Sequence, residues 1–193
     1  MRIIAGEARG RTIFSPPGTN TRPTLDRVRE NEFNMLQGFV RDSRVLDLFA
    51  GSGALSFEAL SRGAGSAVLV DHDRQAHEVE KRNCALLGYE DKADIIRLDW
   101  SRALQKLIGE GKKFDLVFLD PPYALDLIRE VFSALIPLLE PDSIIVLEHE
   151  GKKRIMDPDR FVCVRSRTWG YCGISIFMLK TSKEESSKKE EET

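Results

Sequence analysis

The sequence predicts a doubly wound α/β fold. Its sheet is mostly parallel with an antiparallel C-terminal hairpin, and a small N-terminal β-hairpin and helix precede it. Three observations carry this expectation. From Arg44 onward, short apolar runs alternate with helical patterns, the mark of βαβ units and a sheet buried on both faces. The last two runs, FVCVRSRTW and GISIFMLK, are joined only through GYCG, which is too short for a crossover, so they must pair antiparallel. The chain has 193 residues, 41% hydrophobic and 31% charged, enough for one sizeable core and too few for two full domains.

The elements follow in order. RIIAGEARGRTIF places two short apolar stretches around Gly6 and Gly10 and reads as a hairpin. SPPGTNTRP (15–23) is a loop by composition. A helix is expected from Thr24 as N-cap, with Leu25, Val28, Phe33, Leu36 and Val40 on one face. RVLDLF is the first strand, and AGSGALSFEALSRG a turn and helix. SAVLVDHD and QAHEVEKRNCALLG form the second pair, ADIIRLDW and SRALQKLIGEG the third. KFDLVFLDPPY is a strand running into a Pro-Pro corner, LDLIREVFSALIPLL a helix, and DSIIVLEHE the fifth strand. Right-handed crossovers make this a doubly wound sheet. From Thr181 the chain has no apolar residue to bury and reads as a disordered tail.

Composition excludes several classes. No apolar run approaches the roughly 18 residues a membrane span needs. Ile3 to Ala5 is broken by Glu7 and Arg9, so no signal peptide is expected. Cys84, Cys163 and Cys172 have no ligand spacing, and neither do His72, His77 and His149. A disulfide scaffold and a metal site are therefore not expected, and the cysteines fit a reducing cytoplasm. The net charge of −2 hides an asymmetry. Residues 1–44 carry 8 arginines against 5 acids, residues 45–150 carry 11 basic against 19 acidic residues, and residues 151–180 carry 7 basic against 2 acidic. The first lysine is Lys81. Arginine's planar fork suits phosphate and stacks on bases, so a basic rim around an acidic body fits an enzyme that meets a polyanion at its active-site mouth.

Ligands in such folds bind beyond the carboxyl ends of the strands. An acid stands near each of the first four: Asp47, Asp71, Asp99 and Asp120. Gly51 and Gly53 in FAGSGAL allow a sharp turn and close ligand approach, although the third glycine of a dinucleotide fingerprint is absent. Asp71 lies 20 residues after Gly51, where a carboxylate can accept from ribose hydroxyls. These residues suit an adenine nucleoside cofactor, and at this point a nicotinamide dinucleotide and S-adenosylmethionine both satisfy them.

Asp120-Pro121-Pro122-Tyr123 separates the two. The first proline holds Asp120 extended, and two prolines remove two N–H donors. The corner thus offers acceptors: the Asp120 carboxylate and the neighbouring carbonyls. They suit the two hydrogens of an exocyclic nucleobase amine, whose lone pair is then aimed at a sulfonium methyl. Positioning and electrostatics supply the catalysis, with no strong base required. Tyr123 offers a face on which a base stacks, worth ~1–3 kcal/mol.

LDLFAGSGALSFEALSRGA, Asp71 and DPPY together resemble the class I S-adenosylmethionine-dependent amino-methyltransferases, with their Rossmann-like sheet. RIIAGEARGRTIFSPPG and TRPTLDRVRENEFNML are similar to the RsmD family, bacterial enzymes that methylate guanine N2 in 16S ribosomal RNA. The likeness runs from about Arg2 to Lys180. It implies an S-adenosyl-L-methionine site formed by Asp47, Ala50, Gly51, Gly53, Asp71, His72, Asp99 and Trp100, bordered by Arg22, Pro23 and Thr24. It implies that Asp120, Pro121, Pro122 and Tyr123 hold the target base. Asp71 stands where a glutamate is usual, shortening the reach by one methylene. The expected organisation is an RNA-contacting extension over 1–43, a methyltransferase domain over 44–180 and the tail 181–193. Arg2, Arg9, Arg11, Arg27 and Arg29 are the expected RNA contacts. The expected partner is 16S rRNA in a small ribosomal subunit or an assembly intermediate, met in the cytoplasm by a monomer with no metal and no membrane. The alternatives are an N6-adenine or protein-glutamine methyltransferase and a non-catalytic RNA-binding assembly factor.

Overall fold

The computed structural model describes residues 1–16, 23–121, 125–151 and 157–180. Helix α1 (Pro23–Met35) precedes five strands alternating with four helices: β1 (Arg44–Leu48), α2 (Ala54–Ser61), β2 (Ser66–Asp71), α3 (Arg74–Leu87), β3 (Ala93–Arg97), α4 (Trp100–Gly109), β4 (Phe114–Leu119), α5 (Leu125–Leu135) and β5 (Leu139–Glu150). A 3-10 turn (Ile136–Leu138) links α5 to β5, and β6 (Phe161–Trp169) and β7 (Cys172–Leu179) finish the described chain. The seven strands form one sheet in the order β3-β2-β1-β4-β5-β7-β6. The first five are parallel, and β7 enters antiparallel between β5 and β6. The C-terminal hairpin therefore forms as expected, with its second strand inside the sheet and its first at the edge.

Alternation along the strands sends side chains to two cores. Val45, Leu69, Leu116, Phe118 and Ile176 face α1, α2, α3 and the N-terminal segment through Phe33, Leu36, Phe57, Leu60 and Leu87. Leu46, Leu48, Val117, Leu119 and Phe177 face α4 and α5 through Leu104, Leu107, Val131 and Phe132. Both faces are covered, which is why the strands read as continuous apolar runs.

The N-terminal segment forms a short, irregular hairpin. The Arg2–Thr12 bridge joins its arms, with Ile3 N donating to Arg11 O at 2.9 Å, Gly10 N to Ile3 O at 2.8 Å and Ile13 N to Met1 O at 3.0 Å. A buried carboxylate on α2 anchors the hairpin from outside. Glu58 accepts from Ile4 N at 2.7 Å and Ala5 N at 3.0 Å. Ser61, also on α2, donates to Ala5 O at 2.6 Å and accepts from Ala8 N at 3.0 Å. The segment is thus stitched to α2, and Ile3, Ala8 and Ile13 join the same core as β1. Gly6 makes this approach possible. Its φ is +83°, and a Cβ there would lie 1.8 Å from the Ser61 carbonyl oxygen.

Helix α1 opens at Pro23, whose fixed φ and missing N–H suit a first helical position. Thr24 therefore lies inside the first turn and does not cap it. Arg29 is buried, against expectation. Its Nη2 donates to Arg2 O at 2.6 Å and Asp26 Oδ1 at 3.0 Å, and its Nε lies 3.9 Å from Glu58. Helical periodicity explains this: Val28, Arg29, Glu32 and Phe33 share the inward face, while Arg27 points out.

Gly6→Ala should destabilise the fold by about 2–4 kcal/mol, through strain and the clash with Ser61 together. That corresponds to a fall in melting temperature of roughly 5–15 °C, read by calorimetry. Gly10→Ala is the control. Gly10 has the same φ of +83°, and a Cβ added there would meet no atom within 4 Å, so it should lose only about 1 kcal/mol.

Candidate active site

The parallel strands converge on a cavity of about 270 Å³ at their carboxyl edge. Arg29 and Glu32 of α1, Asp47 of β1, the loop from Phe49 to Ser52, Asp120 after β4 and Glu148 of β5 line it. A depression of about 400 Å³ at the opposite edge, between Gly38 and Ser143, is shallow and holds none of the residues singled out from the sequence.

The loop after β1 is held from behind. Phe49 N and Ala50 N donate to Val70 O at 2.9 and 3.0 Å, and Gly51 N donates to Asp71 Oδ2 at 2.9 Å. The other Asp71 oxygen accepts from Asp73 N at 2.9 Å. Asp71 therefore braces the loop in addition to bordering the expected ribose position. The two glycines differ. A Cβ on Gly51 would meet nothing within 4 Å, and Gly51 faces the cavity. A Cβ on Gly53 would lie 2.5 Å from the Phe57 ring and 2.7 Å from Leu69, so Gly53 serves helix–sheet packing. Asn83 of α3 ties this loop to the N-terminal segment: its Nδ2 donates to Ser52 O at 2.9 Å and Phe14 O at 3.0 Å, and its Oδ1 accepts from Phe14 N at 2.8 Å.

The strand-end acids have distinct surroundings. Asp47 lies one residue inside β1, buried, accepting from Ser56 Oγ at 2.9 Å. Burial lifts its carboxyl to about 7, against the pull of Ser56. Asp99 caps α4, accepting from Ser101 N at 3.0 Å and Ser101 Oγ at 2.8 Å, and that side-chain bond lowers its pKa. Trp100 begins α4 and packs partly into the α4–α5 core. His72 is exposed, 3.7 Å from Asp71. Asp120 is exposed where it lines the cavity. Lost hydration, then Glu148 and Asp47, raise its carboxyl. Pro121 is buried beside it, while Arg22, Pro122, Tyr123 and the tail 181–193 lie outside the described residues, as does the side chain of Thr24.

Two cavity acids were not singled out from the sequence. Glu32 is buried, and its carboxyl is raised by burial first, then by Glu148, Asp120 and Asp47. Glu148 is raised by burial, while a hydrogen bond from Cys172 Sγ to its Oε1 at 3.3 Å works the other way. Glu148 had a signal, because DSIIVLEHE ends in acids as the four earlier strands do. Glu32 had only its helical spacing from Val28. Four carboxyls thus face one space whose nearby cation, Arg29, is already bound to Asp26 and to the Arg2 carbonyl. The cavity is lined by acids whose proton affinity is raised, so an organic cation entering it would favour their ionisation. Among the described residues no group of three or more His, Cys, Asp or Glu is arranged to hold a metal ion.

Of the arginines expected at an RNA surface, Arg2, Arg9 and Arg27 are exposed. Arg11 is exposed but binds the Leu86 and Leu87 carbonyls at the end of α3. Arg29 is interior, lining the cavity and bound to Asp26 and the Arg2 carbonyl.

A family model described as "Conserved hypothetical protein 95" matches residues 1–178. "Ribosomal RNA small subunit methyltransferase D" of Haemophilus influenzae is 34% identical over 92% of this chain and 93% of its own length. The chain belongs to the RsmD family. The solved structure of yhhF from Escherichia coli is 33% identical and superposes with a TM-score of 0.80, covering 94% of this chain and 99% of that one. SMU.776, solved as a complex with SAH, shares the fold at a TM-score of 0.64 with 13% identity, over 82% of this chain and 50% of that one. Within the RsmD pattern, RIIAG now has a physical account: Ile3 fills the core, Ile4 and Ala5 bind Glu58, and Gly6 admits Ser61.

A further carboxyl lies behind the site. Glu80 of α3 is wholly buried, and neither carboxylate oxygen has a hydrogen-bond partner. Burial, then Asp47 and Asp71, push it from 4.5 to about 8. The folded chain therefore holds a proton there that the unfolded chain releases between those values. Its contribution is harmless below 4.5 and becomes increasingly destabilising as pH rises toward about 8. Glu80→Gln should therefore gain a few kcal/mol over the parent at about pH 9 and little at about pH 4.5, read by urea unfolding at both values.

Proposed function

We propose that this RsmD-family chain transfers a methyl group from S-adenosylmethionine to the exocyclic N2 amine of a guanine in 16S ribosomal RNA of the small subunit. The observation that carries this reading is the acid-lined cavity closing on Asp120, an acceptor at the carboxyl edge of β4. When bound, S-adenosylmethionine supplies an electrophilic methyl group on a positively charged sulfur. The residues present fit such a cation, because Glu32, Asp47, Asp120 and Glu148 line the space as ionisable carboxyls and Arg29 is already bound elsewhere. Asp71 and the Gly51 backbone would hold the nucleoside end, with His72, Asp99 and Trp100 bordering it on β2 and α4.

At the other end, Asp120 and the carbonyls beside Pro121 take the two amine hydrogens and orient the nitrogen. Fixing that geometry in a low-dielectric pocket is the main catalytic contribution. The target guanine must leave its stack to reach Asp120, which costs least in a loop. Arg2, Arg9 and Arg27 give a small phosphate-binding rim, so an assembled particle, which adds its own contacts and shape, should be favoured over short RNA. The reaction belongs in the cytoplasm with its ribosomal substrate and needs a single copy of the chain.

Asp120→Ala should lower transfer to small subunits by about 10²-fold or more while cofactor affinity stays near the parent's. Asp71→Ala should weaken cofactor binding first, because it also releases Gly51. Calorimetry for binding, and mass spectrometry of nucleosides from treated subunits for transfer, check both. Methylation appearing on another base or on protein would overturn the target.

A further inference from the structure

We infer that Glu148 is the second working carboxylate of the reacting centre: it accepts the proton the target amine must shed, and the Cys172 thiol positions it. This rests on the amine-methylation reading above.

Strand pairing places the two acids together. β4 and β5 run parallel with Leu119 opposite Leu147, so Asp120 and Glu148 are the next residues on neighbouring strands. Both line the same cavity. Antiparallel pairing of β5 with β7 sets Glu150 opposite Cys172, and from there the Cys172 thiol reaches back to Glu148 Oε1 at 3.3 Å. That thiol is itself held well above its ordinary range by burial first and then by Glu148, so it remains a donor. Among the described residues, Glu148 has no ion-pair partner and Oε2 has no hydrogen-bond partner.

The chemistry requires an acceptor. The amine nitrogen uses its lone pair to bond the methyl carbon and becomes positively charged, while the carbon–sulfur bond breaks, its electron pair stays on sulfur and the neutral thioether is the leaving group. One N–H bond then breaks, its electron pair returns to nitrogen, and the proton bonds to Glu148 Oε2. The carboxylate becomes a neutral acid, which releases the proton to solvent as the product leaves. A carboxylate is base enough because the methylated nitrogen is strongly acidic. Asp120 is occupied in holding the amine, which leaves its neighbour to take the proton.

The groups facing Glu148 favour this role. Glu32 from α1 and Asp120 from β4 face it, and the Glu148 charge raises the proton affinity of both, while Asp47 from β1 lines the same cavity. Arg29 from α1 is bound elsewhere, His149 on the same strand pulls Glu148 down, and the Cys172 hydrogen bond pulls the same way. Burial outweighs them, so the carboxylate has an enhanced appetite for a proton.

The test compares the parent with Glu148→Gln, Glu148→Asp and Cys172→Ala. Single-turnover transfer to unmethylated small subunits is followed from about pH 5.5 to about 9, beside S-adenosylmethionine calorimetry in two buffers of different ionisation enthalpy. In the parent, the rate should rise with pH as Glu148 ionises, and cofactor binding should release a fraction of a proton. Glu148→Gln should bind cofactor, lose that proton release, lose about 10²-fold in rate and lose the acid limb. Glu148→Asp should restore the limb, and Cys172→Ala should move it to higher pH. A Glu148→Gln protein with the parent's rate and acid limb would overturn the inference. Should Glu148→Gln fail to fold, an unmoved limb in both Glu148→Asp and Cys172→Ala would overturn it instead. Guanine identity is read separately from the parent's product, so a wrong base rejects the proposed target and leaves the Glu148 comparison intact.

Discussion

A single buried carboxylate, Glu58, determines how the front of this molecule is assembled. Two backbone N–H groups of the N-terminal segment converge on it, with Arg62 at 2.7 Å and Arg29 at 3.9 Å. A buried charge is tolerable only when its hydrogen-bonding capacity is used, so these groups must arrive together. Their arrival draws Met1 to Ala8 onto α2 and fixes α1 through Arg29. Since α1 carries Glu32 and β1 carries Asp47, one wall of the cavity depends on a contact well outside it. An ion network of this kind gives the extension a defined seat on the sheet, where an apolar patch alone would allow sliding.

The cavity and its rim have opposite electrostatic tasks. Inside, carboxyls gather from α1, β1, β4 and β5: burial raises each of them, and Glu148 and Asp47 further raise Glu32 and Asp120. Outside, Arg2, Arg9 and Arg27 are exposed to solvent. A polyanion brought close by the rim is repelled from the interior unless the part that enters is neutral. A nucleobase meets that condition and a phosphate does not, so the field itself sorts which end of a nucleotide goes in.

Much of the architecture was legible because the strands are buried on both faces and the helices are not. That contrast of apolar run and amphipathic pattern survives in the linear sequence. The terminal hairpin was legible because GYCG leaves no length for a crossover. The place of Asp120 at the cavity was legible, because proline chemistry is local. It was less so at Asp71 and Asp99, whose carboxylates also bind backbone N–H groups of loop and cap, and at Gly53, which packs on Phe57 and Leu69. Arg29 escaped because neighbouring arginines look alike in a linear sequence, although only one side of a helix faces water. Glu58 and Asn83 were invisible because their partners lie 53–54 and 31–69 residues away. The seat of the N-terminal hairpin has the same origin: its outer edge is held by a helix that sequence proximity does not reveal.

The direction of β7 has a practical side. Because it runs against its neighbours, it carries the chain back to the amino edge of the sheet, where Lys180 N donates to Arg160 O at 2.8 Å. Met1, by contrast, borders the cavity. An affinity handle or fluorescent fusion joined after residue 180 starts from the face remote from the chemistry. The same cargo joined ahead of Met1 would crowd the doorway. For surface tethering or labelling, the C-terminal side is the end to build on.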